Sequence, residues 1–116
     1  MEWAHYRNLI AWQKAMDLTD EIYSLTKLLP SEERFALSDQ MRRSAVSVPS
    51  NIAEGYGRQT DKEFIHFLSI ARGSVFELET QMTICLRQNY LSEPQTKRAM
   101  LLCDEIGKIL TALSKH

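Results

Sequence analysis

The sequence predicts an all-α protein, an antiparallel up-and-down four-helix bundle. Three observations carry this. Apolar residues recur in alternating steps of three and four along four separate stretches, the spacing that lines one face of a helix. Proline, glycine and short polar runs punctuate the chain between those stretches. Nowhere do apolar and polar residues alternate with the period of two that a half-buried strand requires. A chain of 116 residues holds one core, so residues 1–116 are expected to form a single domain. A hydrophobic fraction of 44% beside only four glycines and three prolines excludes a disordered or loop-dominated chain.

The first helix is expected from about Leu9 to Leu29, with Ala11, Ala15, Leu18, Ile22, Leu25 and Leu29 as its core stripe. Pro30 ends it, because proline biases the residue before it to extended geometry. Ser31, followed by Glu32 and Glu33, can cap a short helical turn. A second stripe of Leu37, Met41, Ala45, Val48 and Ile52 then leads to Gly55, where the second helix should stop. Pro49 lies inside this stripe and removes one backbone donor, at a cost of about 3 kcal/mol in a helix interior. The expectation is a continuous but bent helix, with Ser47 and Ser50 partly satisfying the freed carbonyl. Thr60-Asp61-Lys62-Glu63 reads as a reciprocal capping box opening the third and longest helix, whose stripe is Phe64, Phe67, Leu68, Ala71, Val75, Leu78, Met82, Cys85 and Leu86. Asn89-Tyr90-Leu91 closes it. Ser92-Glu93-Pro94-Gln95 repeats the cap logic and starts a fourth helix running to about Ser114, along Ala99, Leu102, Cys103, Ile106, Leu110 and Leu113. Lys115 and His116 suit the negative pole of its dipole.

Reactive chemistry is sparse. Cys85 and Cys103 each fall among apolar residues at helical spacing, the pattern of reduced core thiols, and no C-x-x-C pair occurs. Two Glu-x-x-His spacings, Glu2 to His5 and Glu63 to His66, match one element of carboxylate-bridged di-iron bundles. Glu63 is better used in the capping box, however, and both Glu63 and His66 lie off the core face, so no metal, cofactor or catalytic residue is assigned. No nucleophile elbow or glycine-rich phosphate loop occurs, and neither an enzyme nor a small-molecule substrate is expected. No apolar run approaches the roughly 18 residues that span a bilayer, and Met-Glu-Trp-Ala-His lacks the basic and apolar regions of a secretory signal, so a cytoplasmic protein is expected.

Fourteen basic against fifteen acidic residues exclude nucleic-acid binding by bulk charge. The charge is nevertheless uneven. Residues 1–33 hold three basic and six acidic groups, −3, whereas 34–72 hold six and four, +2. Arg42, Arg43 and Arg58 are candidate RNA or DNA contacts. The alternative is that Arg42 pairs with Asp39 and Arg58 with a neighbouring subunit's carboxylate. Pro49, Asn51, Glu54 and Gly55 form a structural motif, in which Asn51 and Glu54 either satisfy backbone groups freed by Pro49 or Gly55 or line a ligand site.

Two helices carry more apolar surface than one stripe uses. At 100° per residue, Trp12, Met16 and Tyr23 cluster about 140° from the first core face, and Ile65 and Phe76 about 110° from the third. Aromatic residues and methionine grouped on a flank mark a subunit interface, so these five are assigned to a homo-oligomer contact. The competing account sandwiches the first helix inside the bundle, where it buries more of its circumference.

The stretch from Gln40 to Arg58, QMRRSAVSVPSNIAEGYGR, resembles the signature of the 23S rRNA intervening sequence protein family, also labelled S23 ribosomal protein. Trp12-Gln13-Lys14-Ala15, Phe67-Leu68-Ser69-Ile70-Ala71-Arg72-Gly73-Ser74 and Glu77-Leu78-Glu79 extend the similarity over nearly the whole chain. The resemblance implies a small bacterial bundle that assembles as a ring, typically a homopentamer, with no enzymatic activity. A related group, the accessory variability proteins of diversity-generating retroelements, looks like the same bundle and uses a basic barrel to engage nucleic acid and a reverse transcriptase. Two functions are therefore expected of this chain: a homo-oligomeric scaffold or interaction module, or a nucleic-acid-binding accessory protein acting on rRNA or with a reverse transcriptase.

Overall fold

The computed structural model describes residues 6–115, which form four α-helices and, among the described residues, no strand. These are α1 (Ile10–Thr26), α2 (Leu37–Tyr56), α3 (Asp61–Arg87) and α4 (Glu93–Leu113), with one turn of 3-10 helix at Ser31–Glu33 between the first two. Each helix packs on its chain neighbour, α1 also packs on α4, and the diagonal pairs make no close backbone approach, so the helices stand at the corners of a square. The register is antiparallel. Ser47 pairs with Ser74 (2.8 Å), Ser44 with Gln81 (3.2 Å) and Met41 with Cys85 (3.7 Å), numbers falling along α2 as they rise along α3. Across α1 and α4, Lys14 meets Glu105 and Glu21 meets Arg98, both at 2.7 Å, in the same antiparallel sense. The molecule measures 44 × 22 × 21 Å, its length that of α3 at about 1.5 Å per residue.

All four stripes meet in one core. Leu18, Ile22, Met41, Ile52, Leu68, Leu78, Met82, Ile106 and Leu110 are its largest wholly buried side chains. Leu37, Phe64, Phe67, Leu86 and Leu113, expected in the stripes, are only half-buried because they lie toward helix ends, where fewer neighbours cover them.

Local bonds shift several boundaries. The first helix closes at Thr26, short of Leu29, because Leu29 precedes Pro30 and is drawn out of helical geometry. Leu28 and Leu29 donate instead to Leu25 and Thr26 in tight three-residue bonds, and Leu29 still enters the core. Ser31 is the first residue of the short turn and caps nothing, since Pro30 holds the cap position. The box at Thr60 is half formed: its hydroxyl accepts the Glu63 N–H at 3.2 Å, and the Glu63 side chain returns no bond. The box at Ser92 is complete, with Ser92 Oγ accepting from the Gln95 amide and Gln95 Oε1 accepting from the Ser92 amide. Lys115 follows α4, while His116 lies outside the described residues.

Asn89 terminates α3 in the left-handed region at φ 60°. The Tyr90 amide donates to Cys85 O (2.9 Å) and the Asn89 amide to Leu86 O (3.1 Å), the paired bonds of a Schellman motif.

Pro49 leaves α2 unbroken. Lacking an N–H, it strands the carbonyl of Ala45, and the group that reaches this acceptor is neither Ser47 nor Ser50. It is the Thr19 hydroxyl of α1, which donates toward Ala15 O at 2.8 Å and Ala45 O at 3.3 Å. Ser47 is occupied elsewhere, with Ser74 and with Asn51. Gly55 does not end the helix, which runs on to Tyr56. A Cβ at Gly55 would lie 3.2 Å from Phe67 Cβ and 3.4 Å from Phe64 O, so glycine here permits the close approach of α3.

Candidate functional site

Antiparallel packing of α1 on α2 leaves an external groove of about 330 Å³. Trp12, Met16 and Thr19 supply one wall, Val46, Pro49, Ser50 and Ala53 the other, and Tyr6 closes one end with its ring edge-on to Trp12 at 5.4 Å. Trp12 is half-buried against the chain's own core, which the sandwiched-helix account explains. Met16 and Tyr23 remain 40% and 41% exposed, which it does not. Arg42 lies over the Tyr23 ring at 5.2 Å and donates through Nε to Thr26 Oγ1 at 2.9 Å.

A second apolar surface stands at the opposite corner. Phe76 on α3 is 51% exposed, with the Arg72 guanidinium 5.3 Å above its ring, and Ile65 is half-buried. Because α1 and α3 are diagonal, the five assigned interface residues make two separate surfaces rather than one. Sequence reasoning missed Val46, Ile70 and Ile84, all exposed. The signal was present for the isoleucines, which are fourteen residues, about four helical turns, apart on one flank of α3.

The three candidate nucleic-acid arginines do not converge. Arg43, not Arg42, pairs with Asp39 (2.9 Å), since four residues place the two on one line of the helix and three do not serve here. Arg58 pairs with Glu54 of its own chain (3.0 Å) and covers the Phe67 ring at 4.7 Å. Arg42 and Arg58 are sixteen residues apart, about 24 Å along a helix. Asn51 Nδ2 donates to Ser47 O and Oγ at 2.8 and 2.9 Å, on the turn that contains Pro49. Glu54 is exposed and bonded to Arg58, so it satisfies no backbone group.

Burial pushes the Cys85 thiol up to about 11 and the Cys103 thiol to about 12, with Glu33 and Glu79 adding to the respective shifts. Both stay protonated at neutral pH, and both are free. Burial, then the nearby Asp104, raises Glu79 above the ordinary carboxylate value. Tyr90 is raised by its hydrogen bond to Glu33 Oε2 (3.0 Å), a contact that ties the α3–α4 turn to the entry of α2. His66 is exposed, its ring edge-on to Phe67 at 5.4 Å, and no three His, Cys, Asp or Glu side chains gather to hold a metal among the described residues. The Glu2 to His5 pair lies outside those residues. No described helix is long and apolar enough to cross a membrane.

The family model described as 23S rRNA-intervening sequence protein matches residues 7–112. A crystal structure of a protein of unknown function from the S23 ribosomal protein family of Bacteroides thetaiotaomicron is 29% identical, covers 92% of this chain and all of its own, and superposes with a TM-score of 0.84. No curated protein matches.

Proposed function

Because the chain belongs to the 23S rRNA-intervening sequence protein family, we propose that it serves as a non-enzymatic, homo-oligomeric scaffold in the cytoplasm. The observation that carries this reading is the pair of apolar surfaces on opposite corners, the α1/α2 groove beside Met16 and Tyr23 and the α3 flank around Phe76. A lone bundle gains nothing by wetting two such surfaces. Two different patches on one subunit favour head-to-tail contact, and head-to-tail contact that closes makes a ring. The resemblance to ring-forming relatives suggests five copies. Light scattering across a micromolar concentration range tests the reading: a mass several times 13.4 kDa is expected, and a single subunit throughout overturns it.

The nucleic-acid alternative has less support, since Arg42, Arg43 and Arg58 are each engaged within the chain. A ring would multiply weak phosphate contacts by its subunit number. Filter binding to structured RNA over a salt series tests it, and binding that does not weaken with salt overturns phosphate contact.

A further inference from the structure

We propose that the outer ridge of α3 seats in the α1/α2 groove of a second copy of this chain, with Gly73 at the closest approach and Arg72 paired with the partner copy's Asp20. The proposal rests on the assembly reading above and names the two faces that meet.

Gly73 lies in the middle of α3 on its exposed side, and a Cβ there would meet nothing within 4 Å. After proline, glycine is the poorest helix former, so a bare position deep in a long helix calls for a reason. Close approach within the chain supplies that reason at Gly55 and is absent at Gly73. Ser69, Gly73, Phe76, Thr80 and Thr83 follow steps of four, three, four and three, the rhythm of a seam that packs against another element. All five are exposed and none is charged.

The α1/α2 groove is the concave counterpart. Its lining is mostly apolar, with Thr19 and Ser50 among the walls, and Phe76 is the projecting side chain of the ridge. Charge selects this pairing. Arg72 flanks the ridge and Asp20 stands one turn beyond Met16 on α1, and neither makes an ion pair with another described residue. Laying the ridge beside α1 brings the two opposite charges together. Ridge and groove lie at different corners, so the contact is head to tail.

Sedimentation equilibrium over a concentration series, with thermal melting as the folding control, tests the pairing on the full chain. Gly73→Leu projects into open space, so at a dilution where only single subunits are present it should melt no lower than wild type, while at higher concentration assembly weakens at least about tenfold. Arg72→Glu and Asp20→Lys should each weaken assembly by about tenfold, and the chain carrying both should recover most of the loss, since every contact is then reversed together. A wild-type oligomer indifferent to Gly73→Leu and to both charge reversals overturns the pairing and leaves the assembly reading standing. A wild-type single subunit up to roughly 100 µM overturns both.

Discussion

Thr19 shows how one side chain decides whether a helix tolerates a proline. Its hydroxyl is the donor nearest the carbonyl that Pro49 strands, and that carbonyl belongs to the wholly buried Ala45. Thr19→Val should therefore destabilise the protein by about 1–3 kcal/mol, the cost of an unsatisfied buried acceptor. In a Pro49→Ala background, where residue 49 supplies its own N–H, the same change should cost less. Equal costs in the two backgrounds, by urea unfolding, would count against the contact. Glu79 is the second informative residue. Its raised pKa means the folded state holds the proton more tightly than the unfolded state, so stability falls as pH climbs from the ordinary carboxylate value through the raised one. Glu79→Gln should consequently melt higher than wild type at pH 7, with the advantage gone at pH 4; a constant difference between those pH values would refute the assignment.

At the scale of the element, caps and glycines set where helices stop and how near they come. The left-handed Asn89 is the pivot of the α3–α4 turn. Asn89→Gly should be neutral or mildly stabilising, whereas Asn89→Val should lose about 1–2 kcal/mol, because a branched Cβ crowds the following carbonyl at positive φ. Two helical glycines give opposite expectations from one chemistry. Gly55→Val drives side-chain atoms into Phe67 and the Phe64 carbonyl and should cost about 1–3 kcal/mol. Gly73→Ala, into open space, should add about 1 kcal/mol to the isolated subunit. Chemical denaturation of both variants, at a concentration where only single subunits are present, checks the contrast.

For the whole molecule, assembly and folding are linked. If copies cover each other's apolar corners, the folded state is favoured by mass action, and the melting temperature should rise with protein concentration. A melting temperature unchanged between roughly 1 and 100 µM would argue that Met16, Tyr23 and Phe76 stay wet.

Helix number, order and core stripes were readable in the sequence because they depend on local periodicity and on nearby breakers: Leu18 and Ile22 share a face whatever lies opposite, and the Pro30 ring biases Leu29 to extended geometry from the adjacent position. The complete box at Ser92 was readable for the same reason, its two bonds lying within four residues. Tertiary structure decided everything that required one helix to meet another. It assigned Thr19 to the carbonyl freed by Pro49, made Gly55 a contact instead of a terminus, engaged Arg42 with Tyr23 and Thr26, and separated the surplus aromatic residues onto opposite corners. Angular position on a helix says which side a residue faces. Which neighbour waits there depends on the register between helices, and that is fixed only when the core packs.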